Sequence, residues 1–460
     1  MADSLVCEER RLPIVSTSTS YAERVNPQWV RLLDVLQMNV SYERCVGTEL
    51  FTTDGGRILD FLSGYCVHNT GHNHPRIVAA LVDELQRNGP NMLQSHVPEM
   101  AGELAEKLCD RAGGGLTKVF FNSSGSEGVE AAIKFARART KRNGLLYAQN
   151  AFHGLTCGAL SLMEGTTWAK GWGPLLPETK AVPFGDLEAL ESQLKTKKYA
   201  AYIVEPVQSE GGIRVPAENY LREAQALCRK YGSLFVLDEV QTGMYRTGKF
   251  LAGHHFGTEP DMVILAKALS GGLIPVGAVL MTEDVYDAVY GSIDRAIIHT
   301  STYSENGLAM RAGLTTLEVL EDEQLGKRAL VAGAALRGQL RDALSSYEMV
   351  KDIPGIGMLS GIEFKAPSSL TLRLAFEAFQ HIHPGLFGQM VVMRMFKNEH
   401  ILTQICGNNF MVLKVAPPLN ATDAEMDTFV AAISRVMDVV HSSKTFWGDA
   451  LALARRTVNI

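Results

Sequence analysis

The sequence lacks several features that would have decided its function early. No apolar run reaches the roughly 18 residues of a membrane helix. The start, MADSLVCEERRLP, has no continuous apolar segment behind a basic end, so no secretory signal is expected. There is no excess of positive charge: the net charge is -6 and the pI about 6.1, which leaves no basic field for nucleic acid or an anionic membrane. No CxxC pair occurs among the seven cysteines, Cys7, Cys45, Cys66, Cys109, Cys157, Cys228 and Cys406. Their odd number and scatter predict free thiols in a reducing cytoplasm. A Walker loop, GxGxxG and GxSxG are all missing, so neither a nucleotide nor a serine hydrolase is implied. The pair His72-x-His74 has no third or fourth ligand near it, and no metal site is expected. Internal repeats and low-complexity segments are absent.

What remains is an ordinary globular composition. The 460 residues are 46% hydrophobic and 20% charged, enough for a large core and roughly two to three domains. The polar run 16–20 reads as a loose terminal loop. Helices are expected over about 26–38, 76–87 and 98–110, and two short strands about the turn Asp54-Gly55-Gly56. From 117 onward the pattern alternates. Strands at 118–121, 145–147, 200–204, 234–237, 262–265 and 276–281 are interleaved with helices at about 126–141 and 217–231. This predicts an α/β fold with a mostly parallel sheet covered on both faces, and a site beyond the carboxyl ends of its strands. One long helical stretch is expected over 310–346, then a short strand at 361–364 and a smaller α+β unit in the last hundred residues.

The chemistry concentrates at strand ends. The buried run Leu234–Leu237 leads straight into Asp238, and Met262–Leu265 into Ala266-Lys267. A carboxylate and a lysine at the ends of buried strands are costly unless something uses both charges, which suggests a cofactor between them. Residues 122–130, NSSGSEGVE, lie between a strand and a helix. Ser124, Gly125 and Ser126 there make either a phosphate cradle at a positive helix end or simply an N-cap with a tight turn. Phe152-His153-Gly154 offers an aromatic ring to a flat cofactor, or to the core. Glu205-Pro-Val-Gln-Ser-Glu210-Gly-Gly reads as a site loop or a turn.

Together these segments are far more specific than any one of them. A Ser/Gly loop, Phe-His-Gly, Glu-Pro-x-Gln, Asp-Glu-Val-Gln-Thr-Gly, the lysine and Ser301-Thr302-Tyr303, in that order, resemble the class III, pyridoxal-phosphate-dependent aminotransferases of fold type I. The resemblance covers about 45–440. The stretches DFLSGYCVHNTGHNHP (60–75) and HTSTYSENGLAMRAGLTTLEVLEDEQL (299–325) look closest to the ornithine, putrescine and omega-amine branch. It implies a large domain over 76–340 with a seven-stranded sheet, and a small α+β domain built from 1–75 and 341–460. It also implies a cytoplasmic homodimer, or a dimer of such dimers, acting on an amine and a keto acid. Lys267 would carry pyridoxal 5'-phosphate as a Schiff base and move the substrate proton, which needs a lysine partly neutral near pH 7. Asp238 would pair with the ring nitrogen and make the ring an electron sink. Gln241 would bond the ring oxygen, and Phe152 and Val240 would flank the ring. Ser124, Gly125 and Ser126 would hold the phosphate, Thr302 would reach it from the partner subunit, and His153 and Glu205 would complete the cofactor site.

On the substrate side the sequence departs from this family. The arginine that ornithine-type enzymes use for the common carboxylate is replaced by Lys414, which keeps the charge and loses the two-point grip. Glu210 matches the glutamate that covers that arginine, so a Glu210–Lys414 gate is expected. Tyr65 matches the family's substrate tyrosine. The arginine for the distal carboxylate is Leu155, which argues against ornithine and toward an amine with an apolar far end. The Phe- and Met-rich segment 371–400 reads either as core and dimer packing or as an apolar channel for a long substrate. The expected activity is transfer of an amino group between a terminal amine and pyruvate or 2-oxoglutarate. An aminomutase, racemase or decarboxylase reaction is the alternative on the same fold. A non-catalytic scaffold is disfavoured by the intact Lys267 and Asp238.

Overall fold

A computed structural model describes residues 19–442 apart from Gln94, Glu164 and His383, and also Trp447. The centre of the molecule is a seven-stranded sheet. Its strands, in chain order, are β1 (Leu116–Asn122), β2 (Gly144–Ala148), β3 (Thr179–Val182), β4 (Tyr199–Val204), β5 (Leu234–Asp238), β6 (Met262–Leu265) and β7 (Gly277–Thr282). They lie in the order β1-β7-β6-β5-β4-β2-β3. Only β7 runs against its neighbours; the pairs β5–β6, β4–β5, β2–β4 and β2–β3 are parallel. β5 and β6 are buried along their whole length, which is why they read as unbroken apolar runs with no alternation.

The helix Gly125–Thr140 covers one face. It begins where Ser124 Oγ accepts the Glu127 N–H at 3.2 Å while Glu127 Oε2 accepts the Ser123 N–H at 2.6 Å, a variant of the reciprocal capping box. It lies close to the sheet because position 128 is glycine: a Cβ there would stand 2.7 Å from Ile264 Cγ2.

Two smaller sheets flank this core. Tyr42–Val46, Glu49–Thr52 and Arg57–Asp60 form antiparallel hairpins, with the Asp54-Gly55-Gly56 turn joining the last two. Ile401–Leu402 pairs in parallel with Arg57–Asp60 and so joins a C-terminal segment to these hairpins. Leu359–Phe364 and Asn409–Val415 pair in the third sheet, with Lys414 opposite Gly361 and Gln404. No described helix is long and apolar enough to cross a membrane.

Two expectations are corrected. The single helix over 310–346 is two, Gly307–Asp322 and Leu325–Leu344, broken where Gln324 turns left-handed at φ 51°. The polar loop at 16–20 is only partly described: Thr19 and Ser20 open the short helix Thr19–Arg24, and 16–18 lie outside the described residues. The segment 371–400 forms the helices Leu370–Ile382 and Leu386–Glu399. The second buries Phe387, Met390, Met395 and Phe396 in the core, in keeping with the packing reading. His72 and His74 each meet a carboxylate, Asp60 at 2.7 Å and Glu323 at 2.9 Å.

Candidate active site

The carboxyl ends of β1, β2, β4, β5 and β6 open on one cavity of about 410 Å³, inside the usual span of about 300–1,000 Å³ for small-molecule sites. Ser124, Gly125, Ser126, Phe152, His153, Glu205, Asp238, Val240, Gln241 and Lys267 all line it. Ten predicted residues, spread over 144 positions of sequence, thus meet because parallel strands deliver their ends to one side.

At the floor, Asp238 ends β5. Its Oδ1 accepts the Val240 N–H at 3.1 Å and its Oδ2 lies 2.8 Å from His153 Nδ1. Burial works against the imidazolium, yet the hydrogen-bonded Asp238 raises the His153 pKa overall. His153 Nε2 is buried without a partner among the described residues. Glu205 accepts the N–H groups of Phe152 at 3.0 Å and Ser209 at 3.2 Å, joining the aromatic loop to the loop that carries Glu210. Burial pushes the Glu205 carboxyl up to about 7.

Lys267 follows β6 and is half-buried, with a left-handed backbone at φ 47°. No hydrogen bond or salt bridge joins its ammonium to another described residue. Burial lowers its pKa, opposed only in part by the Asp238 charge. Ser123 to Ser126, at the N-terminus of the helix Gly125–Thr140 with its first N–H groups, line the same cavity.

The substrate candidates stand outside the walls of this cavity. Lys414 is fully buried and ion-paired with Glu210, and its Nζ donates to Gln241 Oε1 at 3.2 Å. Gln241 Nε2 in turn donates to Glu210 Oε1 at 3.2 Å, so one amide connects the pair to the cavity. Burial opposes both charges, but their mutual attraction holds Glu210 below and Lys414 above its ordinary range. The Lys414 ammonium lies 5.1 Å from the centre of the Tyr65 ring. Leu155 is 54% exposed, and its N–H donates to Ser126 Oγ at 3.3 Å. Thr302 is not brought to the cavity: it is exposed and lines a separate groove with Pro90, Ile297 and Arg311.

Several residues went unrecognised in the sequence. Val67 and the return loop Gly272–Val276 wall the cavity. Arg246, fully buried, donates to Asn69, Ser63, Met358 O and Pro417 O and so fixes the chain around the Lys414 strand. Trp168 and Asn408 sit beside Phe152 and Glu210. Only Arg246 carried a local signal, as a charge inside a glycine-punctuated loop.

The residues present fit pyridoxal 5'-phosphate. A carboxylate lies at the floor, an amine without an ion pair at one wall and a helix N-terminus at another. Glycine at 125 lets Val240 pack directly against that N-terminus: a Cβ there would lie 3.0 Å from both Val240 methyl groups.

Comparison with known proteins agrees with this geometry. Residues 33–437 match the family model described as Aminotransferase class-III. The chain is 36% identical over 453 residues to Aminotransferase PigE of Serratia sp. (strain ATCC 39006), covering 92% of this chain and 53% of that protein; this chain therefore spans about half of that relative's length. It is 37% identical over 382 residues to Putrescine aminotransferase of Pectobacterium atrosepticum, covering 81% of this chain and 77% of the other. A crystal structure of ornithine aminotransferase from Toxoplasma gondii, described with partial occupancy of PLP at its active site, superposes with a TM-score of 0.79 at 30% identity, over 88% of this chain and 91% of that one. The chain belongs to the class-III aminotransferases, a pyridoxal-phosphate-dependent family of fold type I.

Proposed function

We propose that this protein is a transaminase that moves an amino group between a terminal amine with an uncharged far end and a keto acid, pyruvate or 2-oxoglutarate. The observation that carries this reading is the placement of Lys267 and Asp238 at the ends of neighbouring strands, across one cavity from a helix N-terminus.

Bound pyridoxal 5'-phosphate supplies an aldehyde that takes up amines and a ring that draws electrons from the carbon bearing the amine. The protein's own groups do the rest. Gly125, Ser126 and the helix N-terminus bind the phosphate, and Ser124 caps that helix. Phe152 and Val240 would flank the ring, and Gln241 would donate to its oxygen. Asp238, oriented by His153, keeps a proton on the ring nitrogen. Glu205 fixes the Phe152 loop in place. Lys267, its pKa lowered by burial, takes the substrate proton at Nζ and returns it. We place the partner subunit's Thr302 at the phosphate of a homodimer in the cytoplasm, which accounts for its exposure within one chain.

Substrate choice falls to the second group. Leu155 offers no cation to a distal carboxylate, and the buried Lys414 is already neutralised by Glu210. An acceptor carboxylate must displace Glu210 to reach Lys414. Tyr65 stands over that ammonium.

The test is spectroscopic. The purified protein should show a visible cofactor band that bleaches with terminal amines and returns with a keto acid, and borohydride should fix the cofactor to Lys267. Lys267→Ala should abolish both attachment and turnover. An unbleached band across ornithine, putrescine, GABA, β-alanine and long-chain amines would sink the reading. Turnover of one amine with no keto acid would point instead to an aminomutase, racemase or decarboxylase.

A further inference from the structure

Trp168 lies in a short turn, Thr167–Ala169, outside every motif above. Its indole stands edge-on to Phe152, centroids 5.7 Å apart at 84°. Its Nε1–H donates to Asn408 Oδ1 at 2.9 Å. Asn408 is held in turn on three sides. Its side-chain amide donates to the carbonyls of Asn150 and Ala151, at 3.1 and 2.9 Å, and its N–H donates to Glu210 O at 2.9 Å. The adjoining Gly407 N–H donates to Glu210 Oε2 at 2.8 Å. The indole packs where a side chain at 407 would be: a Cβ there would lie 3.1 Å from Trp168 Cζ2 and 3.2 Å from Glu210 Oε2.

A tryptophan is thus tethered between the ring-flanking Phe152 and the Glu210–Lys414 pair, and 38% of its surface stays in solvent. A surface indole has no structural need for this fixing. Its Nε1–H is already engaged by Asn408, so the exposed part of the ring offers a ligand apolar carbon and no free donor. The neighbouring charges are cancelled within their own pair, so the wall offers a substrate tail contact area and no ionic partner.

We infer that Trp168 is the specificity-determining wall for the far end of the amine, and that it selects an unbranched apolar tail. The inference rests on the transaminase reading. A tail laid along the indole gains about 0.8 kcal/mol per methylene removed from water, which is about fourfold in kcat/KM for each carbon added. A distal carboxylate on the same wall loses hydration without gaining a partner.

The experiment compares kcat/KM for butylamine and hexylamine with one keto acid, in the wild-type holoenzyme, W168F and W168A. The wild type should favour hexylamine by about 15-fold, the product of two methylene steps. W168A should bring the ratio to about one, and W168F should fall between. Cofactor absorbance monitors folding independently, because Trp168 does not line the cofactor cavity. A second readout needs no turnover. Titrating the holoenzyme with 1-hexanol, an unreactive tail, should shift tryptophan emission in wild type and not in W168F. A hexylamine-to-butylamine ratio that W168A leaves at the wild-type value overturns the inference while leaving the transaminase reading intact. Failure of every amine to bleach the cofactor overturns that reading instead.

Discussion

Lys414 and Glu210 form an ion pair in which the ammonium is fully buried and the carboxylate is held on its other oxygen by the Gly407 N–H. Removing one partner leaves a buried charge without compensation, a loss of about 3–5 kcal/mol. Lys414→Met should therefore lower the urea midpoint strongly. Adding Glu210→Gln to it should recover much of the loss, and a double-mutant cycle measures the coupling. Strict additivity of the two single changes would contradict the buried pair.

Lys414→Arg addresses function at the same place. The guanidinium keeps the charge and adds a planar fork that a carboxylate meets at two points. The KM for 2-oxoglutarate should change while kcat/KM for the amine half-reaction stays near its wild-type value. Steady-state kinetics with each substrate varied in turn will show whether the effect is confined to the acceptor.

Glu239 and Glu205 predict how stability responds to pH. Burial raises each from the ordinary 4.5 to about 7. Between those values the unfolded chain has released a proton that the native protein keeps. Their stabilising contribution is therefore complete below pH about 4.5 and is lost as pH rises through about 7, at up to about 1.4 kcal/mol per unit for each group. Urea unfolding across this window should show the decline in the cofactor-free protein. Glu239→Gln should flatten part of it, since Glu239 accepts the N–H groups of Ala252 and Gly253 away from the cavity. A flat profile in wild type would contradict the raised values.

Gly128 tests the seat of the phosphate-side helix. A methyl group at this position meets Ile264 Cγ2 at 2.7 Å inside a closed core. Gly128→Ala should cost about 1–3 kcal/mol through overpacking, despite alanine's better helix propensity. It should also weaken cofactor retention on dialysis, because the same helix presents Gly125 and Ser126.

Leu155 is exposed beside that helix start, so an arginine fits there without loss of core. Leu155→Arg should raise kcat/KM for amines ending in a carboxylate about tenfold relative to butylamine, on the order of one surface charge pair at reduced solvation. An unchanged preference would remove Leu155 from the account of substrate choice.

What could be read in the sequence follows from how locally each feature is encoded. β5 and β6 are apolar runs because both faces are covered, and their end residues Asp238 and Lys267 stand out by contrast. β3, Thr179–Val182, passed unnoticed. It is an edge strand with only Val182 buried, so its alternation is short and its residues are mixed. The break at Gln324 was equally silent, since the residue that turns left-handed there, at φ 51°, is neither glycine nor asparagine. Trp168 and Asn408 are joined across 240 residues by one hydrogen bond, and nothing in either neighbourhood announces the other. Thr302 was recognised only through family resemblance, and within this chain it lines a groove apart from the cavity.

The reversed strand β7 has a consequence for Lys267. Because β7 runs back beside β6, the segment from Ala266 to Val276 is a short bridge with both abutments in the same sheet. Most of the entropy of placing the lysine is spent when β6 and β7 pair, before any ligand arrives. Lengthening the bridge by a few flexible residues would leave every side chain in place and loosen the span. The activity of such insertions would measure how far the rate depends on a lysine already held in position.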